Sequence, residues 1–383
     1  MAARQPSLTN QLLRAPLLLF WCGFLLLMPF YVLPVGLPQP DDAMVVILAP
    51  LVLASWNGRL SRASIRTLRP LLWFTLWVVL VNVAWILILA NFGKDLRYPL
   101  FYIFNALVFV IALILHERHG ELFVRLTYVC VFAAVMFQCA FSLVFRSSLA
   151  RDTLFFDNPN QLGYYALLAA CVITLTQRRL KIGLFTSSIA ITGCGYLALI
   201  SASRSAVAGV VILVILSVFS NPRLIVIGSL FAVLLFVAGG PVARAVDSMQ
   251  HRMSSSRGDE SLSFFEQRGY DRIWSNKEYL VLGAGEGARA RFQETTVIKH
   301  AEIHSSIGTI VFSYGIVGLG LFILFIARLV EGSPWRTMLV LLPPLTYTVA
   351  HQGLRFTMLW VLLALFVALK SPATRAPSLR VAH

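Results

Sequence analysis

Long apolar segments follow one another along this chain, and they restrict its fold more than any other feature. A helix that crosses a bilayer needs about 20 mostly apolar residues, and about twelve runs of roughly this kind occur, several of them shorter. They fall at 16–35, 43–56, 71–92, 99–115, 122–144, 162–175, 182–201, 206–219, 224–238, 307–329, 338–350 and 357–369. Only 13% of the residues are charged, against about 25% in soluble domains. We therefore expect an all-α integral membrane protein with about twelve transmembrane helices.

The basic residues alternate along the chain in the sense expected of a membrane protein. If both ends of the chain are cytoplasmic, the loops on that side carry most of the Lys and Arg, including four arginines between Arg59 and Arg69. The opposite short loops carry fewer, as the positive-inside rule predicts. The net charge of +15 is thus spread over short loops, and we expect no nucleic-acid partner. The five cysteines lie in apolar runs without a CxxC pair, which predicts neither a disulfide nor a zinc site.

One polar loop is much longer than the others. It covers 239–303, about 65 residues that mix acidic and basic side chains. Loops longer than about 15 residues are usually functional or disordered. The predicted organisation is nine membrane helices in 1–238, a partly helical outer loop domain in 239–303, and three further helices with a cytoplasmic tail in 304–383.

A histidine stands where the long loop meets the next apolar run. His304 lies in the stretch AEIHSSIG, with Glu302 and His300 close by in sequence. Histidine suits a general base near neutral pH, because its ordinary pKa is about 6.5. A lone histidine at a membrane boundary also serves to anchor a helix end. The residue types leave both interpretations open.

Three arginines on the outer side are candidates for binding an anion. Arg204 lies in SASRSA between two apolar runs, where the small neighbours leave room for a diphosphate beside the guanidinium. A snorkelling membrane anchor is the alternative. Arg268 and Arg272 are four residues apart, so they share a face if this stretch is one helix. They form either a second arm of the same anion site or an ordinary solvated cluster with Glu266 and Asp271.

A turn with two asparagines precedes the run at 162–175. Asn160 is predicted to cap the following helix, and contact with a sugar is the alternative. The glycine-rich GAGEG at 283–287 lacks the Lys and Ser/Thr of a nucleotide-binding loop. The chain has no HExxH, CxxC or GxSxG motif. We therefore expect no metal, no cofactor and no serine-hydrolase chemistry.

The order of these motifs resembles the O-antigen ligase and polymerase family of bacterial membrane glycosyltransferases. The motifs are NPNQLG before a helix, SRSA between helices, RGYDRIW in the long loop, GAGEG, and IHSSIGTIVFSYGIVG entering a helix, all within about 155–321. The resemblance implies that a glycan moves from undecaprenyl diphosphate to an acceptor sugar hydroxyl, with inversion and without metal or nucleotide. It also implies an active site on the periplasmic face of the inner membrane, so that 239–303 is a periplasmic loop domain.

The resemblance also implies a role for each candidate residue. Arg204 and Arg268 would hold the diphosphate leaving group, and His304 would orient or deprotonate the acceptor hydroxyl. Arg272, Asn158 and Asn160 would be further contacts to the diphosphate or the substrate.

Several functions stay open at this point. A ligase acting on lipid A-core is the leading prediction, and a polymerase that extends an O-antigen or exopolysaccharide repeat unit differs from it mainly in the acceptor. A lipid-linked sugar flippase or transporter would need ionisable residues within its spans, and few occur here. A noncatalytic partner in polysaccharide export would need neither His304 nor Arg204.

Overall fold

The computed structural model describes residues 14–34, 37–90, 95–145, 151–220, 263–288, 291–292 and 302–370, with a few positions between 228 and 250. All regular structure in these ranges is helical. The α-helices are α1 Arg14–Leu27, α2 Pro40–Ser55, α3 Arg62–Leu89, α4 Arg97–His119, α5 Glu121–Val144, α6 Pro159–Leu180, α7 Leu184–Ile200, α8 Arg204–Ser220, α9 Phe264–Gln267, α10 Asp271–Ser275, α11 Ser306–Val330, α12 Trp335–Met338, α13 Leu342–Ala350 and α14 Thr357–Ala368. Short 3₁₀ helices occupy Lys277–Tyr279 and Leu339–Leu341.

The apolar runs form helices, as the sequence predicts. Eleven of the twelve lie wholly or mostly on helices, and the twelfth, 224–238, falls largely outside the described residues. Among the described residues, four helices are long and apolar enough to cross a membrane, namely α3, α4, α5 and α11. The all-α prediction is therefore confirmed, and the four long helices are consistent with a membrane protein. The twelve spans stay a prediction, as does the loop domain at 239–303, of which the structure describes mainly 263–288.

Two helices form the centre of the bundle. Every residue of α6 from 162 to 176 is buried, and so is every residue of α14 from 358 to 368. Helix α6 packs against α5, α7, α8 and α14, and α14 also packs against α4. The buried hydroxyls of Thr174 and Thr176 are satisfied, because each donates a 2.7 Å hydrogen bond to a backbone carbonyl one turn earlier.

Loops that are predicted on opposite sides of the membrane meet at opposite ends of the bundle. We call one of them the loop end. Three backbone hydrogen bonds join its loops: Tyr31 N to Phe155 O at 2.9 Å, Asp152 N to Ile200 O at 2.9 Å and Ser306 N to His351 O at 3.1 Å. We call the other the basic end. Its hydrogen bonds run from Ser61 N to Glu117 Oε1 at 2.9 Å, from an Arg118 guanidinium nitrogen to Ser55 O at 2.9 Å and from an Arg178 guanidinium nitrogen to Arg336 O at 3.2 Å. The described loops thus group in the order that their charges predict.

Gly315 breaks α11 and lets the long loop attach to it. Its backbone has φ 66° and ψ −170°, a conformation that is open essentially only to glycine. The carbonyl oxygens of Phe312 and Ser313 accept hydrogen bonds from the amides of Ala284 and Gly285 at 2.9 and 2.8 Å. The GAGEG segment is therefore held on the membrane helix by backbone hydrogen bonds.

Candidate functional site

The two arginines of the long loop belong to separate helices. Helix α9 ends at Gln267, Arg268 follows as its C-cap, and Gly269 has a positive φ of 76° before α10 begins at Asp271. The prediction that Arg268 and Arg272 share a face of one helix is therefore wrong. A glycine in the left-handed region ends a helix, and here it sends the two side chains into different surroundings.

Arg268, Arg204 and His304 come together at the loop end. The amide nitrogen of His304 donates a 2.9 Å hydrogen bond to the carbonyl oxygen of Arg268. Burial lowers the pKa of the Arg268 guanidinium, Tyr347 opposes this shift, and the positive charge of Arg204 adds to it. The two guanidinium groups are therefore within electrostatic range of each other. Two cations within electrostatic range of each other favour a bound anion, above all one with several oxygens.

A tight turn between α7 and α8 positions Arg204 as the first residue of α8. The residues Ser201, Ala202 and Ser203 before it are all buried. The turn packs so closely on α6 that a Cβ added at Gly163 would lie 2.6 Å from Oγ of Ser201. The small residues that the sequence shows around Arg204 thus allow the turn to approach α6, and the Arg204 side chain itself is exposed.

Asn158, and not Asn160, caps α6. Oδ1 of Asn158 accepts a 3.0 Å hydrogen bond from the amide of Gln161. The predicted capping role of Asn160 is wrong, because the helix begins earlier than expected. Oδ1 of Asn160 instead accepts a 2.9 Å hydrogen bond from Arg151, and its carbonyl oxygen accepts one of 3.1 Å from the hydroxyl of Tyr347. Both asparagines therefore help to order the loop end.

A second histidine, which the sequence analysis did not single out, contacts Ser205, the residue that follows Arg204. Nε2 of His351 is 3.1 Å from Oγ of Ser205. The His351 ring stacks on Tyr347 with ring centres 4.5 Å apart, and Tyr347 stacks on Tyr164 at 4.1 Å. This stack fixes the direction of the imidazole. The sequence did offer a signal for His351, because this residue directly follows the apolar run at 338–350. His304 has a similar position shortly before the run at 307–329.

A buried ion network holds the segment that leads to His304. Arg355 donates to Glu286 and, at 2.8 Å, to Glu302. Burial acts to lower the pKa of Arg355, but the two carboxylates raise it above its ordinary value. Glu302 lies two residues before His304, so this network fixes the chain at that point. Two hydroxyls also donate to these carboxylates, those of Tyr98 and Tyr314.

Arg272 lines a small cavity together with residues of this network. Its buried guanidinium lies 5.7 Å from the ring centre of Phe292. A cavity of about 30 Å³ is lined by Arg272, Glu286, Glu302, Gln352 and Arg355, among others. This volume holds one or two water molecules, which is too little for a diphosphate or a sugar. Arg268 is not among the residues that line it.

The described residues contain no group of three or more His, Cys, Asp or Glu that could hold a metal ion. No protein-family model matches the chain, and no curated protein is significantly similar to it.

Proposed function

We propose that this chain is a membrane glycosyltransferase that moves a glycan from undecaprenyl diphosphate to an acceptor sugar hydroxyl. The observation that carries the proposal is the meeting of Arg204, Arg268 and His304 at the loop end. These residues come from three distant parts of the sequence, yet all three lie at the loop end of the apolar helix bundle. A lipid-linked donor keeps its chain in the bilayer and presents its diphosphate at this level.

The proposed chemistry needs fixed positive charge and one base. The acceptor hydroxyl attacks the anomeric carbon of the donor sugar, the bond from that carbon to the diphosphate oxygen breaks, and undecaprenyl diphosphate leaves with the bonding electrons. Arg204 and Arg268 stabilise the negative charge that develops on the leaving group, because both guanidinium groups carry a fixed positive charge at the loop end. His304 accepts the proton of the hydroxyl. Attack from the side opposite the leaving group inverts the anomeric configuration.

Arg268 is assigned to the diphosphate in preference to Arg272. Arg268 adjoins both Arg204 and His304, whereas Arg272 lines a cavity too small for this ligand. Asn158 and Asn160 act mainly by ordering the same end of the bundle. The proposed location is the inner membrane of a bacterium, with the loop end facing the periplasm. The proposed acceptor is lipid A-core, which makes the enzyme an O-antigen ligase.

The test is complementation of a deletion strain with single variants. His304→Ala and Arg204→Ala should each abolish surface polysaccharide assembly, because one removes the base and the other removes half of the anion site. Arg62→Ala, at the basic end, is the control and should leave assembly intact. Glycan output is measured by gel electrophoresis, and the amount of each variant in the membrane by immunoblot. Normal output from either loop-end variant would rule out this mechanism.

The glycans that accumulate in the deletion strain identify the acceptor. Long lipid-linked chains together with bare lipid A-core are expected for the proposed ligase. Single lipid-linked repeat units would instead identify a polymerase. Units that stay on the cytoplasmic side would identify a flippase and contradict transferase activity.

A further inference from the structure

A basic cavity opens between α3 and α11 at the basic end, far from the proposed active site. Its volume is about 550 Å³, and it is lined by Arg66, Arg69, Pro70, Trp73, Leu324, Arg328 and Glu331. On α3 the residues at 66, 69 and 73 follow a spacing of three and four, which puts them on one helix face. On α11 the residues at 324 and 328 are four apart, and Glu331 follows the helix as its C-cap. The sequence of each helix thus builds one wall of the cavity.

The cavity carries an excess of positive charge. Arg328 forms a 3.1 Å ion pair with Glu331. Among the residues that the structure describes, Arg66 and Arg69 form no ion pair with a carboxylate, and the lining as a whole holds three arginines and one glutamate. Lys370 adds a further amino group nearby, since its Nζ donates a 3.0 Å hydrogen bond to the carbonyl oxygen of Glu331. Guanidinium groups arranged in this way suit the oxygens of a phosphate.

An exposed apolar stripe begins at the arginines and continues along α3 towards the loop end. Its members recur every three or four residues, and each is at least 39% exposed; they are Trp73, Leu76, Leu80, Val83 and Leu87. At 1.5 Å per residue the stripe is roughly 21 Å long, which exceeds half of the hydrocarbon core of about 30 Å. Tryptophan at its basic end is typical of a membrane interface. The surface therefore offers phosphate-binding charge at one end and a path for an acyl chain below it.

We propose that this cavity binds the headgroup of an anionic phospholipid, whose acyl chain follows the stripe on α3. A soluble phosphate would use the arginines but would gain nothing from the stripe. Basic pockets between membrane helices on the cytoplasmic side are known to hold anionic lipid headgroups. The basic end is the end that the loop charges assign to the cytoplasm. The site is independent of the proposed transferase activity.

The test compares lipid dependence in two matched variants of the full-length protein. Arg66→Gln/Arg69→Gln removes two arginines of the lining, and Arg62→Gln/Arg125→Gln removes two charges from the same end without changing the cavity lining. Each protein is placed in phosphatidylcholine nanodiscs with or without a minor fraction of phosphatidylglycerol. Thermal unfolding is followed, and the lipid retained by each protein is counted by native mass spectrometry.

Phosphatidylglycerol should raise the unfolding temperature of the wild type and of the control variant, and it should not do so for the cavity variant. Retention of phosphatidylglycerol over phosphatidylcholine should fall roughly tenfold for each guanidinium lost, equal to a loss of about 1.4 kcal/mol each. Single Arg66→Gln and Arg69→Gln variants keep the test valid if the double variant unfolds in phosphatidylcholine alone. Unchanged lipid retention in the cavity variants would overturn the proposal. Displacement of the lipid by an equal concentration of inorganic phosphate would overturn it as well.

Discussion

His351 is a residue whose role at the loop end is visible only in the structure, and it leads to a kinetic prediction. His351→Phe keeps an aromatic ring to stack on Tyr347 but removes the contact to Ser205, the neighbour of Arg204. A hydrogen bond of this kind contributes about 1 kcal/mol net, so binding of the lipid-linked donor should weaken roughly fivefold. The expected result is a higher KM for the donor, with an unfolding temperature lowered by no more than the loss of one hydrogen bond explains. Steady-state kinetics of the purified protein measure it.

His351→Gln provides the control for this prediction, because its amide can replace the imidazole nitrogen as a hydrogen-bonding group. It should retain more donor affinity than His351→Phe. Equal kinetics for the wild type and His351→Phe would show that the contact to Ser205 does not help to position Arg204.

The candidate residues differ in how far the sequence could reveal them. His304 and Arg204 could be predicted because each is a polar group at the boundary of an apolar run, where it needs an explanation. Glu286 and Arg355 could not, since each resembles an ordinary loop charge until the fold brings them into one buried ion pair. Partners that are far apart in sequence leave no local signal.

At the scale of secondary-structure elements, the break in α11 at Gly315 gives the sharpest prediction. A Cβ at this position would lie 2.3 Å from the carbonyl oxygen of Val281, and the φ of 66° is strained for any other residue. Gly315→Ala should therefore destabilise the protein by about 2 kcal/mol or more. It should also speed up hydrogen exchange at the amides of Ala284 and Gly285, which pair with α11 next to the break.

Gly320→Ala is the matched control in the same helix, because a Cβ there meets nothing within 4 Å. It should be neutral or slightly stabilising, since alanine favours a helix by about 1 kcal/mol over glycine. Thermal unfolding of both variants in one detergent decides the question. If Gly315→Ala is as stable as Gly320→Ala, the backbone break does not hold the long loop.

The elements themselves were predictable to the extent that each depends on local composition. Long apolar runs form helices wherever they lie, and the structure follows them closely. The turn at Gly269 and the break at Gly315 were not predicted, because glycine adopts positive and negative φ about equally readily and the surrounding fold selects between them. For this reason the sequence suggested one helix through Arg268 and Arg272 where the structure has two.

At the scale of the whole molecule, loop charge predicted how the described loops group but not which helices lie at the centre. An apolar helix face has the same pattern of apolar residues whether it packs against lipid or against another helix, because both surroundings are apolar. Helix α6, which is buried, and α3, which exposes many large apolar side chains, are therefore alike as sequence patterns. Packing separates them, and packing is not encoded in hydropathy.

The ion network of Glu286, Arg355 and Glu302 connects the long loop, α11 and the segment before α14, so its loss should affect the stability of the whole molecule. The Glu286 side chain is only 3% exposed. Removing one partner of a buried ion pair costs about 3–5 kcal/mol when the other charge is left without compensation. Arg355 keeps its 2.8 Å bond to Glu302, so Glu286→Gln should lower the unfolding free energy by less than this. The exposed pair of Glu121 and Arg125 is the control, and Glu121→Gln should cost less than about 1 kcal/mol.

A double-mutant cycle separates the ion pair from other effects of the substitutions. If Glu286 and Arg355 stabilise the protein through each other, Glu286→Gln/Arg355→Gln should lose clearly less than the sum of the two single variants. Denaturant unfolding in mixed micelles measures all four proteins. Additive losses would mean that the two side chains act separately, and the long loop would then be held mainly by its backbone hydrogen bonds to α11 around Gly315.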